Sequence, residues 1–111
     1  MHYIKKVSEP WFSLMKLGLK KCEGRLNKGD FSKMKKGDTI TFSNEKRSFN
    51  CVITSIHHYK TFETYLQKEG LEKCLPSIDT IKEGVEVYHK YYSKEDENKF
   101  GILAIRIRIK N

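Results

Sequence analysis

The residues best suited to chemistry lie in one short run, Gly18-Leu19-Lys20-Lys21-Cys22-Glu23-Gly24-Arg25, which reads G-x-K-x-x-E-x-R. A lysine brings a compact charge with three N–H donors, suited to a phosphate or carbonyl oxygen. An arginine brings a planar fork that can grip phosphate, or the O6/N7 edge of a guanine, at two points. A glutamate can accept from a base amino group such as that of cytosine. Desolvation would lower the Lys20 pKa and make it a base or nucleophile. The other reading of the same residues is structural: Glu23 simply pairs with Lys20 or Arg25. On an extended chain Glu23 and Arg25 share a face with Lys21, while Lys20 and Cys22 lie opposite. The three groups meet only if the chain turns or bulges around Lys20–Lys21, and such a turn is expected.

Other residues could extend a site. Trp11 sits one helix length before Lys20 and is either a stacking platform for a base or a core residue. Ser8 either contacts a ligand or caps a helix. Lys21, the Lys33, Lys35 and Lys36 cluster, and Arg106 and Arg108 could form a rim that tracks a phosphate backbone; solvated loops and a solvated strand face are the alternatives. His57 and His58 are adjacent and point to opposite faces, so joint metal binding is not expected. Tyr88, Tyr91 and Tyr92 read as helix packing, with no aromatic RNA-binding strand motif beside them. No metal site and no cofactor are indicated.

The elements that must carry these residues follow from periodicity. Residues 1–7 read as a strand. Ser8, Glu9 and Pro10 suit a helix start, and Trp11, Leu14, Met15 and Gly18 recur at helical spacing, predicting a helix from Glu9 to Leu17 stopped by Gly18. Gly29-Asp30 and Gly37-Asp38 mark turns around a basic loop. Residues 38–56 form a β-hairpin with a polar turn at 43–46. Thr61 caps a short helix ending at Glu69-Gly70. Residues 71–78 are irregular. Thr80-Ile81-Lys82-Glu83 is a capping box opening a second helix, and residues 93–99 are a charged loop. The last segment alternates, with Leu103, Ile105, Ile107 and Ile109 on one face and Ala104, Arg106 and Arg108 on the other. Pairing of the first strand with the last is expected to close the sheet. The fold class is α+β: a small mixed or antiparallel β-barrel, partly open, with two to three flanking helices.

The chain has 111 residues, which fits one domain spanning 1–111. No run approaches a membrane span and no leader layout opens the chain, so a soluble, cytoplasmic protein is expected. Three widely spaced cysteines suggest reduced thiols rather than a disulfide framework or zinc site. The net charge of +8 favours anionic partners, nucleic acid above all.

Ser8-Glu9-Pro10-Trp11, the G-x-K-x-x-E-x-R run, Gly37-Asp38 before a strand, and the terminal apolar strand together resemble the ASCH domain, a branch of the PUA-like fold. The resemblance spans essentially the whole chain. It implies a five- or six-stranded barrel whose cleft is lined by the signature segment, and binding of RNA, a nucleotide or a modified nucleoside in RNA metabolism. Some bacterial ASCH proteins resemble amidohydrolases of acetylated cytidine, using the signature lysine, a threonine and a later glutamate. Lys20 matches the first; Glu23 stands where the threonine would be; Ser77 and Asp79 lie near the third.

Three functions follow as expectations. The first is binding of RNA or a modified base by Lys20, Glu23 and Arg25, with Ser8 and Trp11 beside them, in a protein expected to be a monomer. The second is a small nucleoside or RNA hydrolase using Lys20 and Glu23. The third is a protein-interaction module.

Overall fold

The computed structural model describes residues 1–110. Five strands, β1 (His2–Lys6), β2 (Cys22–Leu26), β3 (Thr39–Asn44), β4 (Arg47–Tyr59) and β5 (Ile102–Lys110), form one sheet in the order β1-β3-β4-β5-β2. Only the β1–β3 pair is parallel. β4 is the long central strand, rich in the β-branched residues that suit a pleated surface. It pairs with β3 through its first half and with β5 over Asn50 to Tyr59, and a bulge between Ile53 and Ser55 marks the change of register. The sheet curls into a half-barrel, and its two edge strands are β1 and β2.

Closure of the sheet by pairing of first and last strands is therefore corrected. β5 lies between β4 and β2, and β1 sits beside β3. The reason is burial: Ile102, Leu103, Ala104 and Ile105 are all buried, so β5 is covered on both faces and belongs inside the sheet. The two-faced alternation holds only in its second half, where Arg106 and Arg108 are exposed.

The hairpin forms as expected, with a turn at Glu45 and Lys46 between β3 and β4. Among the described residues there are five helical segments rather than two or three: α1 (Trp11–Lys16), α2 (Phe62–Glu69), α3 (Leu71–Cys74), α4 (Ile81–His89) and α5 (Lys94–Phe100). Gly29–Lys33 adds a 3-10 turn. Thr61 caps α2, its Oγ1 accepting from Thr64 N at 3.1 Å, and Thr80 caps α4 through Glu83 N at 3.1 Å. The stretch expected to be irregular contains the single turn α3. The expected charged loop is α5, capped by Ser93 and opened by Glu95, Asp96 and Glu97, a favourable charge at a helix N-terminus.

α1 is shorter than expected. It begins after a cis Glu9–Pro10 bond, and Ser8 does not cap it through its side chain. The cap comes from Glu9, whose carboxylate accepts from Ser13 N at 2.9 Å and from the Ser13 hydroxyl at 2.6 Å. Phe12 and Met15, on the inner face of α1, and Phe42, Tyr65 and Leu66 lie fully buried in the core between the sheet and the helices.

Candidate functional site

The signature segment follows a sharp turn. Gly18 adopts φ +79°, a left-handed conformation that glycine takes without a Cβ penalty, and Leu19 N and Lys20 N both donate to Leu14 O at 3.0 Å. The turn falls at residues 17–19, just before the expected place, and the chain enters β2 only at Cys22. The consequence is the convergence the sequence reading required: Lys20 swings to the same side as Glu23 and Arg25.

Lys20 is fully enclosed, its side chain 1% exposed. Its ammonium donates to Cys22 O at 2.7 Å and to Cys74 O, and lies 3.3 Å from Glu23 Oε1. That occupies all three donors. The Trp11 ring centre is 5.9 Å from the same nitrogen. Arg25 lies on the same face of β2 as Glu23. Its Nε donates to Glu23 Oε2 at 2.9 Å, and its Nη2 donates to Lys6 O at 2.9 Å, joining edge strand β2 to edge strand β1. Its guanidinium carbon sits 4.9 Å from the Phe31 ring centre.

Glu23 is thus held between two cations. Burial alone would raise its pKa; Arg25 and then Lys20 outweigh that and hold it below the usual carboxylate range. Burial works against the Arg25 charge as well, and Glu23 more than restores it. The ion pair expected as the structural alternative is therefore formed, with Glu23 shared between Lys20 and Arg25.

Above this triad, at the seam between β1 and β2, lies a cleft of about 600 Å³, the size of small-ligand sites. Lys20, Glu23, Gly24 and Arg25 contribute its floor. Trp11, Tyr88, Tyr91 and Tyr92 supply aromatic walls. Tyr88 is fixed by a stack on Phe62, ring centres 4.5 Å apart and planes 7° from parallel, and by its hydroxyl 2.9 Å from that of Tyr65. Burial pushes the Tyr88 and Tyr92 phenols up, so both stay neutral. Tyr91 is 54% exposed, and its hydroxyl lies 3.1 Å from the Ser8 hydroxyl across the cleft mouth. Asn44 also lines the cleft, its Nδ2 donating to Val7 O at 2.9 Å. Gly24 leaves room for Tyr65, whose ring a Cβ there would meet at 2.7 Å.

The rim residues stand elsewhere. Lys21, Lys33, Lys35, Lys36 and Arg108 are exposed and none lines the cleft. Arg106 is not free to track phosphates: its Nε is 2.7 Å from Glu69 Oε1 and its Nη2 donates to Glu69 Oε2 at 3.1 Å. Lys6 is the exposed lysine at the cleft instead. Neither Ser77 nor Asp79 lines the cleft. The three tyrosines and Asn44 were not legible as site residues, although three tyrosines within five residues of an otherwise charged segment were a visible signal. All three cysteines are free and buried. Among the described residues no group of three or more metal-ligating side chains occurs, and no helix is long and apolar enough to cross a membrane.

A curled five-stranded sheet with the signature at its seam defines an ASCH-type domain of the PUA-like class. The ASCH domain model matches residues 6–110, and the chain belongs to that family. The family is usually linked to RNA binding. The crystal structure of hypothetical protein PH0355 is similar at a TM-score of 0.93, with 37% identity over 99% of this chain and 100% of that one. The solution structure of protein PF0455 from Pyrococcus furiosus is similar at 0.82, with 38% identity over 98% and 97%. No curated protein matches the chain.

Proposed function

We propose that the cleft binds RNA by taking one nucleobase, or a modified nucleoside, between its aromatic walls and over the Glu23–Arg25 pair. The observation that carries this reading is a cleft of base-accommodating size with neutral tyrosine walls and a charge-compensated floor. Lys20 and Arg25 are largely balanced by Glu23, so the interior suits an uncharged planar ring better than a phosphate. Phosphates stay outside, near Lys6. Glu23 accepts from an amino or imino edge, and Arg25 donates to a neighbouring carbonyl. Lys20, with its donors used internally, does not touch the ligand; it keeps Glu23 ionised and in place. Tyr91 and Ser8 close the mouth.

Trp11 is the only tryptophan and lines the cleft, so its fluorescence reports occupancy. Titration with single-stranded RNA and with free nucleosides should quench it. Tyr91→Ala should weaken RNA binding by about tenfold, the scale of one lost base stack at ~1–3 kcal/mol. Salt should weaken RNA binding and leave nucleoside binding nearly unchanged. No quenching by any of these ligands, or unchanged affinity in both Tyr91→Ala and Arg25→Ala, would overturn the assignment.

A further inference from the structure

β5 outruns its neighbour. β2 pairs with it only from Ile102 to Arg106, whereas β4 accompanies its other edge to Lys110. Beyond Arg106 the β2 side supplies one more bond, from Ile107 N to Lys21 O at 3.1 Å. In an antiparallel strand the N–H and C=O of one residue point to the same edge, and the edge alternates with each residue. The Ile107 C=O and both backbone groups of Ile109 therefore face a gap that no strand among the described residues fills. Unpaired strand groups beside a groove are a template for an added strand.

The gap is a groove of about 370 Å³. Met15, Ile107 and Ile109 give it apolar walls, Lys21 and Arg108 give it charge, and no carboxylate lines it. The Lys20 that also borders it has its ammonium engaged beneath the cleft. Leu17 and Leu19 flank the groove's Gly18 and are 73% and 55% exposed, so apolar surface continues past the groove.

We infer that this groove docks an extended segment of a protein partner, which adds to β5 as a strand and alternates apolar with acidic side chains. The backbone of such a segment satisfies Ile109. Its apolar residues meet Ile109 and the edge of Ile107, and its carboxylates meet the exposed Arg108 and Lys21. A second copy of this chain is the poorer occupant, because it would set Arg108 and Lys110 against their own counterparts in a protein of net charge +8. Nucleic acid has no peptide groups to extend the ladder and gains little from exposed leucines.

The test is amide-resolved NMR of the full chain, titrated with a short capped peptide of alternating valine and glutamate and with its valine–lysine counterpart. The acidic peptide should shift the amides of Lys21 and Ile107 to Lys110 and slow hydrogen exchange at Ile109. Arg108→Glu should weaken it by about tenfold and favour the lysine peptide, since charge reversal changes partner choice. Leu17→Ser with Leu19→Ser, both on the surface, should weaken it without disturbing the core. Equal binding of the two peptides, shifts mapping to another face, or no shifts at millimolar peptide would overturn the inference. So would displacement of the peptide by single-stranded RNA at these same amides, or the same shifts on concentrating the chain alone.

Discussion

Two buried glutamates, Glu23 and Glu69, each hold an arginine of this small sheet, and their surroundings set them apart. Glu23 lies under the cleft with its partners enclosed, Lys20 at 1% and Arg25 at 18% exposure. Glu69 lies on the Cys22 side of β2, its Oε1 3.7 Å from Cys22 Sγ, and its partner Arg106 is 46% exposed. Tyr59 donates its hydroxyl to Glu69 as well. For both carboxylates burial is the largest influence and raises the pKa, and the cations and donors outweigh it, leaving both below the usual range. The chemistry is the same, yet only the Glu23 cluster borders an aromatic cavity. An ion pair at a cavity can exchange part of its hydrogen bonding with a ligand; Glu69, beside solvent, ties α2 to β5 through Arg106 and to β4 through Tyr59.

The contrast can be broken by mutation. Glu23→Gln should show the largest loss, because it strands two enclosed cations: about 3–5 kcal/mol, read as a shift in urea midpoint. Lys20→Met in the same background should recover part of it, since one stranded charge is gone. Gly24→Ala should cost about 1–3 kcal/mol by driving the Tyr65 ring from its place. It should also weaken ligand binding, because Tyr65 holds Tyr88. Glu69→Gln should cost less than Glu23→Gln, about 1–2 kcal/mol, because Arg106 can turn to water. Equal losses at the two glutamates would erase the distinction drawn between them.

Acid titration sharpens the comparison with a smaller effect. A carboxylate whose folded pKa is depressed contributes stability that is complete above its unfolded value, about 4.3, and is lost as pH falls through the folded value. Wild-type protein should therefore lose stability below about pH 4. Glu23→Gln, lacking one such group, should lose less over the same interval although it starts lower. A steeper acid dependence in the variant would contradict the depressed Glu23 pKa. The smallest effect is expected at the cleft mouth: Ser8→Ala removes one exposed hydrogen bond to Tyr91, should leave stability within about 0.5 kcal/mol, and should speed ligand entry and release.

Much of the fold was legible because its signals are local. Threonine caps at Thr61 and Thr80 announce α2 and α4, and the period-2 run at the end announces β5. The α5 helix was missed because its charged residues look like a solvated loop; the Ser93 cap and the acids behind it were the readable correction. The shortened α1 reflects a competition that sequence spacing does not rank, since the Glu9 carboxylate rather than the Ser8 hydroxyl reaches the free N–H of Ser13.

The G-x-K-x-x-E-x-R pattern by itself determined that two cations and one carboxylate leave the first helix together, and that the chain must turn before they can meet, although the turn came at residues 17–19 rather than at Lys20–Lys21. Local backbone geometry suffices for that. Strand order, the opening of the sheet between β1 and β2, and the arrival of Tyr88, Tyr91 and Tyr92 over Glu23 were decided only in three dimensions. The three tyrosines lie more than sixty positions from Glu23, and no spacing along the chain encodes which burial will bring them together.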